Sequence, residues 1–292
     1  MTTITATGTL GADHLDQVRS ASALTAEVDG TAPLSEAFVL GLPREGEHVV
    51  ATDADRVVGY AAVARDGSAE AFVAPDDRRK GVGTALLTAI LERNPQARPL
   101  AHGDLPGSRA LAQRLGLTVV RELLVLSRPV EAGDEQDPDL PDGLEHRVFR
   151  PGADEAAVLA TNAAAFANHP EQGSLDADGL AERVAQPWFD ARGLILLEDG
   201  NPERLAGFHW TKIDPPGAEV GEVYVVGVHP DLHGRGLGGP LTRLGLAHLA
   251  RSGVREVELY VEGDNHPALA TYRRAGFERK AVHVMYSPAP PP

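Results

Sequence analysis

The period of the apolar positions changes along residues 222–251. "EVYVVGV", residues 222–228, is a short apolar, β-branched run and predicts a strand. Beyond it, Leu241, Leu244, Leu246 and Leu249 recur at helical spacing in "GGPLTRLGLAHLARSG", and Gly253 stops the helix they predict. Upstream, the alanine-rich "ADEAAVLATNAAAFA" predicts a helix, and "GLILLED" and "AGFHWTKI" form a hairpin turned at Gly200–Asn201. Downstream come a strand, "EVELYVE", a helix from about His266 to Ala275, and a final strand, "AVHVMYS". Strands mixed with helices at this spacing predict an α/β unit, a mixed sheet with flanking helices.

The first half of the chain repeats this order. With Gly81 placed on Gly236, the match runs without a gap: Pro75 falls on Pro230, Asp76 on Asp231, Gly83 on Gly238 and Leu86 on Leu241. Further on, "ALAQRLGL" (110–117) falls on "ATYRRAGF" (270–277). A repeat this long means domain duplication rather than a solenoid. The expected organisation is a first domain over 1–130, an acidic linker over 131–142, a second domain over 143–286 and a proline-rich tail over 287–292.

Composition narrows the function. The apolar runs are short and broken by charge, so no membrane span is expected. The chain has no cysteine, which removes disulfides and thiolate chemistry and fits a cytoplasmic protein. With 27 basic and 42 acidic residues the net charge is −15, which repels a phosphate backbone and argues against a nucleic-acid partner. His229 and His233 straddle Pro230 and Gly234, so they share no helix face and no metal site is expected.

The chemistry lies at the strand-to-helix turn. Gly234, Gly236, Gly238 and Gly239 crowd it, with Arg235 among them. A helix N-terminus leaves amides unpaired beside a positive dipole end, and glycines let an anion approach them closely. The turn lacks the Gly-Lys-Ser/Thr of a P-loop and the spacing of a dinucleotide fingerprint. A strand ending in Val-x-Pro, then "RRKGVG" (78–83) or "HGRGLG" (233–238), then a long helix, resembles the GCN5-related N-acetyltransferases. In that family the turn holds the pyrophosphate of coenzyme A. His233 stands where that family has Gln or Arg.

The resemblance implies a tandem duplicated acetyltransferase fold that holds acetyl-CoA once per half, as co-substrate. In the second half the contacts fall on Val226, Gly227 and Val228, on His233, Gly234, Arg235, Gly236, Leu237, Gly238 and Gly239, and on Asn265, His266, Ala268 and Ala270. In the first they fall on Phe72, Val73, Ala74, Lys80, Gly81, Val82, Gly83, Thr84 and Ala85. A glycine within a strand, as at Gly227, marks a bulge or a close backbone approach.

Acyl transfer to an amine needs a base, an acid for the leaving thiolate and a donor to the carbonyl oxygen. Glu222, opening its strand, is the candidate base, and Tyr272, in a run resembling the family's Asn-x-x-Ala-x-x-x-Tyr-x-x-x-Gly-Phe pattern, is the candidate acid. In the repeat register Glu222 falls on Gly67 and Tyr272 on Ala112, so the first half is expected to bind acetyl-CoA without catalysing. With no covalent nucleophile, a ternary complex is expected.

Longer stretches narrow the resemblance. "NHPEQG" (168–173), "QPWFD" (186–190), "EVYVVGVHP" (222–230) and "LYVEGDNHPA" (259–268) resemble the mycothiol synthases, tandem acetyltransferases that acetylate the cysteinyl amine of Cys-GlcN-Ins (desacetylmycothiol). The resemblance implies substrate contacts from Glu36, Lys212, Glu222, Tyr260 and Glu171, with Asp178 open. A monomer is expected. An acetyltransferase for another amine (an aminoglycoside or a protein N-terminus) and a non-catalytic coenzyme A-binding regulator remain as alternatives. The regulator predicts loss of Glu222 and Tyr272, and both are present.

Overall fold

The computed structural model describes residues 2–167, 172–201 and 204–288. The chain divides into two compact units, Met1–Leu123 with Ala281–Pro292, and Leu124–Lys280. In chain order the elements are β1 (Thr2–Thr7), α1 (Ala12–Asp29), α2 (Glu36–Gly41), β2 (Glu47–Asp53), β3 (Arg56–Val63), β4 (Ser68–Val73), α3 (Val82–Arg93), β5 (Arg98–Ala101), α4 (Pro106–Arg114) and β6 (Leu117–Pro129). They continue as β7 (Glu145–Val148), α5 (Glu155–Ala165), α6 (Ala177–Val184), β8 (Leu194–Glu198), β9 (Gly207–Lys212), β10 (Val220–Val228), α7 (Gly238–Arg251), β11 (Glu256–Glu262), α8 (His266–Arg274) and β12 (Glu278–Pro288).

In the first unit β1 to β4 form an antiparallel meander, and β4 then runs parallel to β5. Both faces are covered, which explains why these strands read as continuous apolar runs. Val49, Ala51, Val58 and Ala61 pack with Val82, Leu86 and Ile90 of α3. Val50, Val57, Tyr60 and Phe72 pack with Val18 of α1, Leu34 and Leu42. Leu86 and Ile90 are fully buried, and cutting such a leucine to alanine costs about 2–5 kcal/mol.

The second unit repeats the plan. β7, β8, β9 and β10 are antiparallel in that order, and β10 runs parallel to β11. Leu241 and Leu244 of α7 lie under Ile195, Leu197 and Ala206, as the leucine spacing predicts. The opposite face carries Phe149, Val158, Trp188, Phe208 and Trp210.

Three features depart from the sequence reading. The final strand was expected to complete the second unit, but from Ala281 it belongs to the first, where Val284 pairs with Ala101 and Met285 with Leu100. An apolar alternation says that a strand forms, not which edge receives it. The division between units falls inside β6, and the acidic segment 131–142 lies within the second unit rather than between the two. Arg128 bonds Asp134, Arg251 bonds Asp137, and Leu140 packs under Leu197 and Leu232. Arginines on the unit draw the acidic run down. Of the expected tail, Ser287 and Pro288 end β12 and the rest lies outside the described residues.

The third concerns register. The β9–β10 ladder shifts between Val223 and Val225, leaving Tyr224 as the extra residue of a β-bulge. The last parallel rung is Ala69–Pro99 in the first unit and Val223–Leu259 in the second. Counted from those rungs, Glu222 corresponds to Ser68 rather than Gly67, because the bulge inserts one residue before the glycine turn. A serine is no stronger a base than a glycine there.

Candidate active site

β10 and β11 pair only from Val220–Glu256 to Val223–Leu259 and then part. Past that fork β10 stays paired to β9 through Val228. Its amides on the β11 side at Val226 and Val228 are thus released from the ladder, as a carbonyl or pantetheine ligand requires. Gly227 is a close approach and not the bulge, which falls at Tyr224. A Cβ at Gly227 would lie 2.8 Å from the ring of Phe208 and 3.3 Å from that of Phe166.

The glycine turn follows. Gly234 and Gly236 take positive φ, 77° and 76°, which is the conformational reason for glycine at those two positions. Gly238 and Gly239 instead open α7, whose N-cap, Leu237, gives no side-chain bond to the first amides. In the first unit Gly81 sits at φ 87° as the N-cap of α3, again without a side-chain bond. Both helix ends therefore keep amides for an anion. His233 replaces the usual arginine or glutamine with the local contact intact: its Nε2 donates to the carbonyl of Val228 at 3.1 Å, as Nε of Arg78 donates to Val73 at 3.2 Å. His233 and Arg235 are exposed, and Leu237 is buried.

Glu222 lies opposite Lys212 on β9 and Glu258 on β11. Lys212 is held as a nearly buried cation. Its ammonium lies 4.9 Å from the ring centre of Trp188, 5.5 Å from that of Tyr224 and 3.5 Å from the carboxylate of Asp214, with a tenth of the side chain exposed. Nε of Arg183 donates to the Tyr224 hydroxyl at 2.9 Å and steadies that ring. Tyr260 of β11 stands two residues past Glu258 with 44% of its surface exposed, and partial desolvation, then the charges of Glu222 and Glu258, raises its pKa.

Tyr272 projects from α8 onto the cluster of Val223, Val226 and Phe277, with its ring edge-on to Phe277 at 5.8 Å. Burial pushes its hydroxyl up to about 12, so it is protonated at neutral pH. Asn265 caps α8, its side chain accepting from the amide of Ala268 at 3.2 Å, while His266 and Ala270 are exposed.

The first unit holds a cavity of about 570 Å³, lined by Phe72, Val73, Gly81, Gly83 and Thr84 among others. The side chains of the other residues expected to bind acetyl-CoA there are placed as follows. Lys80 bonds the buried carboxylate of Asp77 at 2.9 Å, Val82 is in the core, Ala74 is buried, and Ala85 is half-buried in α3. Glu36 opens α2 and belongs to the first unit, Asp178 lies in the first turn of α6, and Glu171 lies outside the described residues. Sequence reasoning missed Trp188, Tyr224 and Arg183. Their signal was thin, since aromatic residues there read as core. Among the described residues no three His, Asp or Glu side chains gather to hold a metal ion, and no helix is long and apolar enough to cross a membrane.

Comparison with known proteins agrees with this geometry. The profile described as the Acetyltransferase (GNAT) family matches residues 158–277, and that of an Acetyltransferase (GNAT) domain matches residues 44–116. The mycothiol acetyltransferase of Geodermatophilus obscurus is 50% identical, over 94% of this chain and 96% of its own. Those of Kytococcus sedentarius (47%; 90% of each chain) and Rhodococcus jostii (46%; 95% and 97%) are similar in the same way. Among solved structures, a tandem GNAT protein from the clavulanic acid biosynthesis pathway superposes over all of both chains with a TM-score of 0.75 at 21% identity. A GCN5-related N-acetyltransferase of Sphaerobacter thermophilus does so over 97% and 94% with a TM-score of 0.69 at 24% identity.

Proposed function

The chain belongs to the mycothiol acetyltransferase family and transfers an acetyl group in mycothiol biosynthesis; we propose that the second unit moves it directly from acetyl-CoA to the cysteinyl amine of Cys-GlcN-Ins. The observation that carries this reading is the placement of Glu222 at the β10–β11 fork, opposite Lys212 and one strand-length before the amide-rich start of α7.

The steps follow from the groups present. The pyrophosphate rests on the α7 amides, and the pantetheine arm lies along β10 beyond the fork. The acceptor arrives as an ammonium, and Glu222 takes its proton, directly or through a water. The free amine attacks the thioester carbon, and charge developing on the carbonyl oxygen is met by β10 amides between Val226 and Val228. The C–S bond breaks, the thiolate takes the proton of Tyr272, whose raised pKa keeps that proton available, and the nitrogen gives up its second proton as the amide forms, through solvent, which restores the Tyr272 hydroxyl. Lys212, fixed by its aromatic partners, and Tyr260 supply polar contacts to the acceptor. The first unit binds acetyl-CoA on its own turn, without a counterpart of either proton-transfer group at Ser68 or Ala112.

Initial rates with both substrates varied test the direct step. Intersecting double-reciprocal lines are expected, whereas parallel lines would require an acetyl-enzyme and overturn it.

A further inference from the structure

The first unit repeats the fork. β4 and β5 pair only at Ser68–Arg98 and Ala69–Pro99 and then diverge. The next residue on β4 is Glu70, a carboxylate in the middle of an apolar strand, with 2% of its surface exposed. One oxygen accepts from the amide of Ser35 at 2.7 Å. The other lies 3.2 Å from Nε2 of His102, which follows β5 and is itself about nine-tenths buried. The two are within reach but out of line for a hydrogen bond, so Nε2 is a buried polar atom without a hydrogen-bond partner. Such looseness is common in catalytic pairs before the ligand is bound.

His102 lines the same cavity as the phosphate turn, together with Ala71, Phe72, Val73 and Leu100 from the two arms of the fork. Its ring is held edge-on by His283 at 4.8 Å. Nδ1 of His283 accepts from the amide of Gly103 at 2.8 Å, so that imidazole is fixed and does not compete for the proton. Imidazole, fork and anion-binding turn thus converge on one cavity, with the Glu70 carboxylate buried behind the imidazole, in the half that lacks counterparts of Glu222 and Tyr272.

We propose that the Glu70–His102 pair makes this cavity a second reaction centre, which hydrolyses the acyl thioester bound on the first turn. The inference rests on the reading that the first turn takes acetyl-CoA. His102 removes a proton from water while Glu70 holds the imidazolium; the water oxygen bonds to the acyl carbon, the C–S bond breaks, and the thiolate takes the proton from His102. Acetate, a proton and coenzyme A leave. Water is the nucleophile proposed because Glu70 lies behind the imidazole with 2% of its surface exposed, where water and not a bulky ammonium reaches the pair.

The test uses the full chain in the Glu222→Ala background, without an amine acceptor. Released thiol is read with a thiol-reactive chromophore, to which this cysteine-free chain contributes no signal. Labelled acetyl-CoA bound per chain is measured by equilibrium dialysis alongside. Thiol release above the protein-free blank is expected, falling at least tenfold in Glu70→Gln and in His102→Gln while binding is retained. The glutamine at position 70 can still accept from Ser35, so loss of that amide contact does not account for the fall. Release that is absent, or unchanged in both variants, with two acetyl-CoA bound would overturn the proposal and leave the binding reading standing. Stoichiometry unaffected by Gly81→Val would overturn both.

Discussion

Glu222 of β10 and Lys212 of β9 are partners across an antiparallel ladder, at a level where Glu222 is also paired to Glu258 of β11. Two like charges and one opposite charge share a few ångströms of sheet, yet the lysine turns toward Trp188 and Tyr224 as well as Asp214. The ammonium is thereby held between two aromatic faces and a carboxylate.

Replacing Lys212 by methionine keeps the stem and removes the charge. The KM for the amine substrate is expected to rise about tenfold or more, roughly 1.4 kcal/mol, with kcat changed by less. Arginine at this position does not rescue, since a planar guanidinium does not fit a site built around a compact ammonium. Steady-state kinetics at saturating acetyl-CoA check this. A kcat loss with unchanged KM would place Lys212 in the chemical step instead.

Gly236→Val forces a β-branched residue to φ 76° in the phosphate turn. The left-handed conformation costs about 1–2 kcal/mol. It is expected to appear as a KM for acetyl-CoA at least tenfold higher, read from the same assay.

Gly227→Ala places a methyl 2.8 Å from the ring of Phe208 and 3.3 Å from that of Phe166. Overpacking of this kind costs about 1–3 kcal/mol. A lowered midpoint of chemical denaturation at unchanged slope is the expected result.

His209 is fully buried on β9, where its Nδ1–H donates to the carbonyl of Leu241 at 2.8 Å and a side chain at Gly245 would run into its ring. Burial lowers its pKa to about 4. The folded state therefore holds this imidazole neutral while the unfolded chain, near 6.5, protonates it. Stability from this group is present above about pH 6.5 and is lost as pH falls toward 4. The loss is about 2 kcal/mol between pH 7 and pH 5. Denaturation midpoints across that range check it, and His209→Gln is expected to flatten the slope.

The duplicated fold was legible because its marks are local. Proline, aspartate and glycine at fixed offsets around Gly81 and Gly236 impose the same strand, turn and helix twice. Leu241 and Leu244 met the sheet as their spacing requires, as did Leu249 against Val223 and Leu259. What escaped was set by tertiary pairing. The strand at Ala281 could join either sheet by its own pattern, and the acidic run 131–142 looked like a spacer until arginines from β6 and α7 claimed it. The bulge at Tyr224 has no residue signature in "EVYVVGV", so a gap-free register placed Glu222 one residue off. Lys212 was legible as a rare lysine, whereas its setting between Trp188 and Tyr224 needed coordinates. Glu70 was visible as a charge within "SAEAFV", although repeat logic alone pointed past it to Gly67.

The central claim, that the second unit acetylates the thiol precursor with Glu222 as base and Tyr272 as acid, is tested most directly by acetyl transfer from acetyl-CoA to Cys-GlcN-Ins. Wild type is compared with Glu222→Ala and Tyr272→Phe, with coenzyme A binding measured beside turnover. A kcat/KM fall of about 10²–10³ for the first variant and at least tenfold for the second, with binding retained, is predicted. Turnover that survives both substitutions, or a wild type that binds coenzyme A without acetylating this amine, would contradict it.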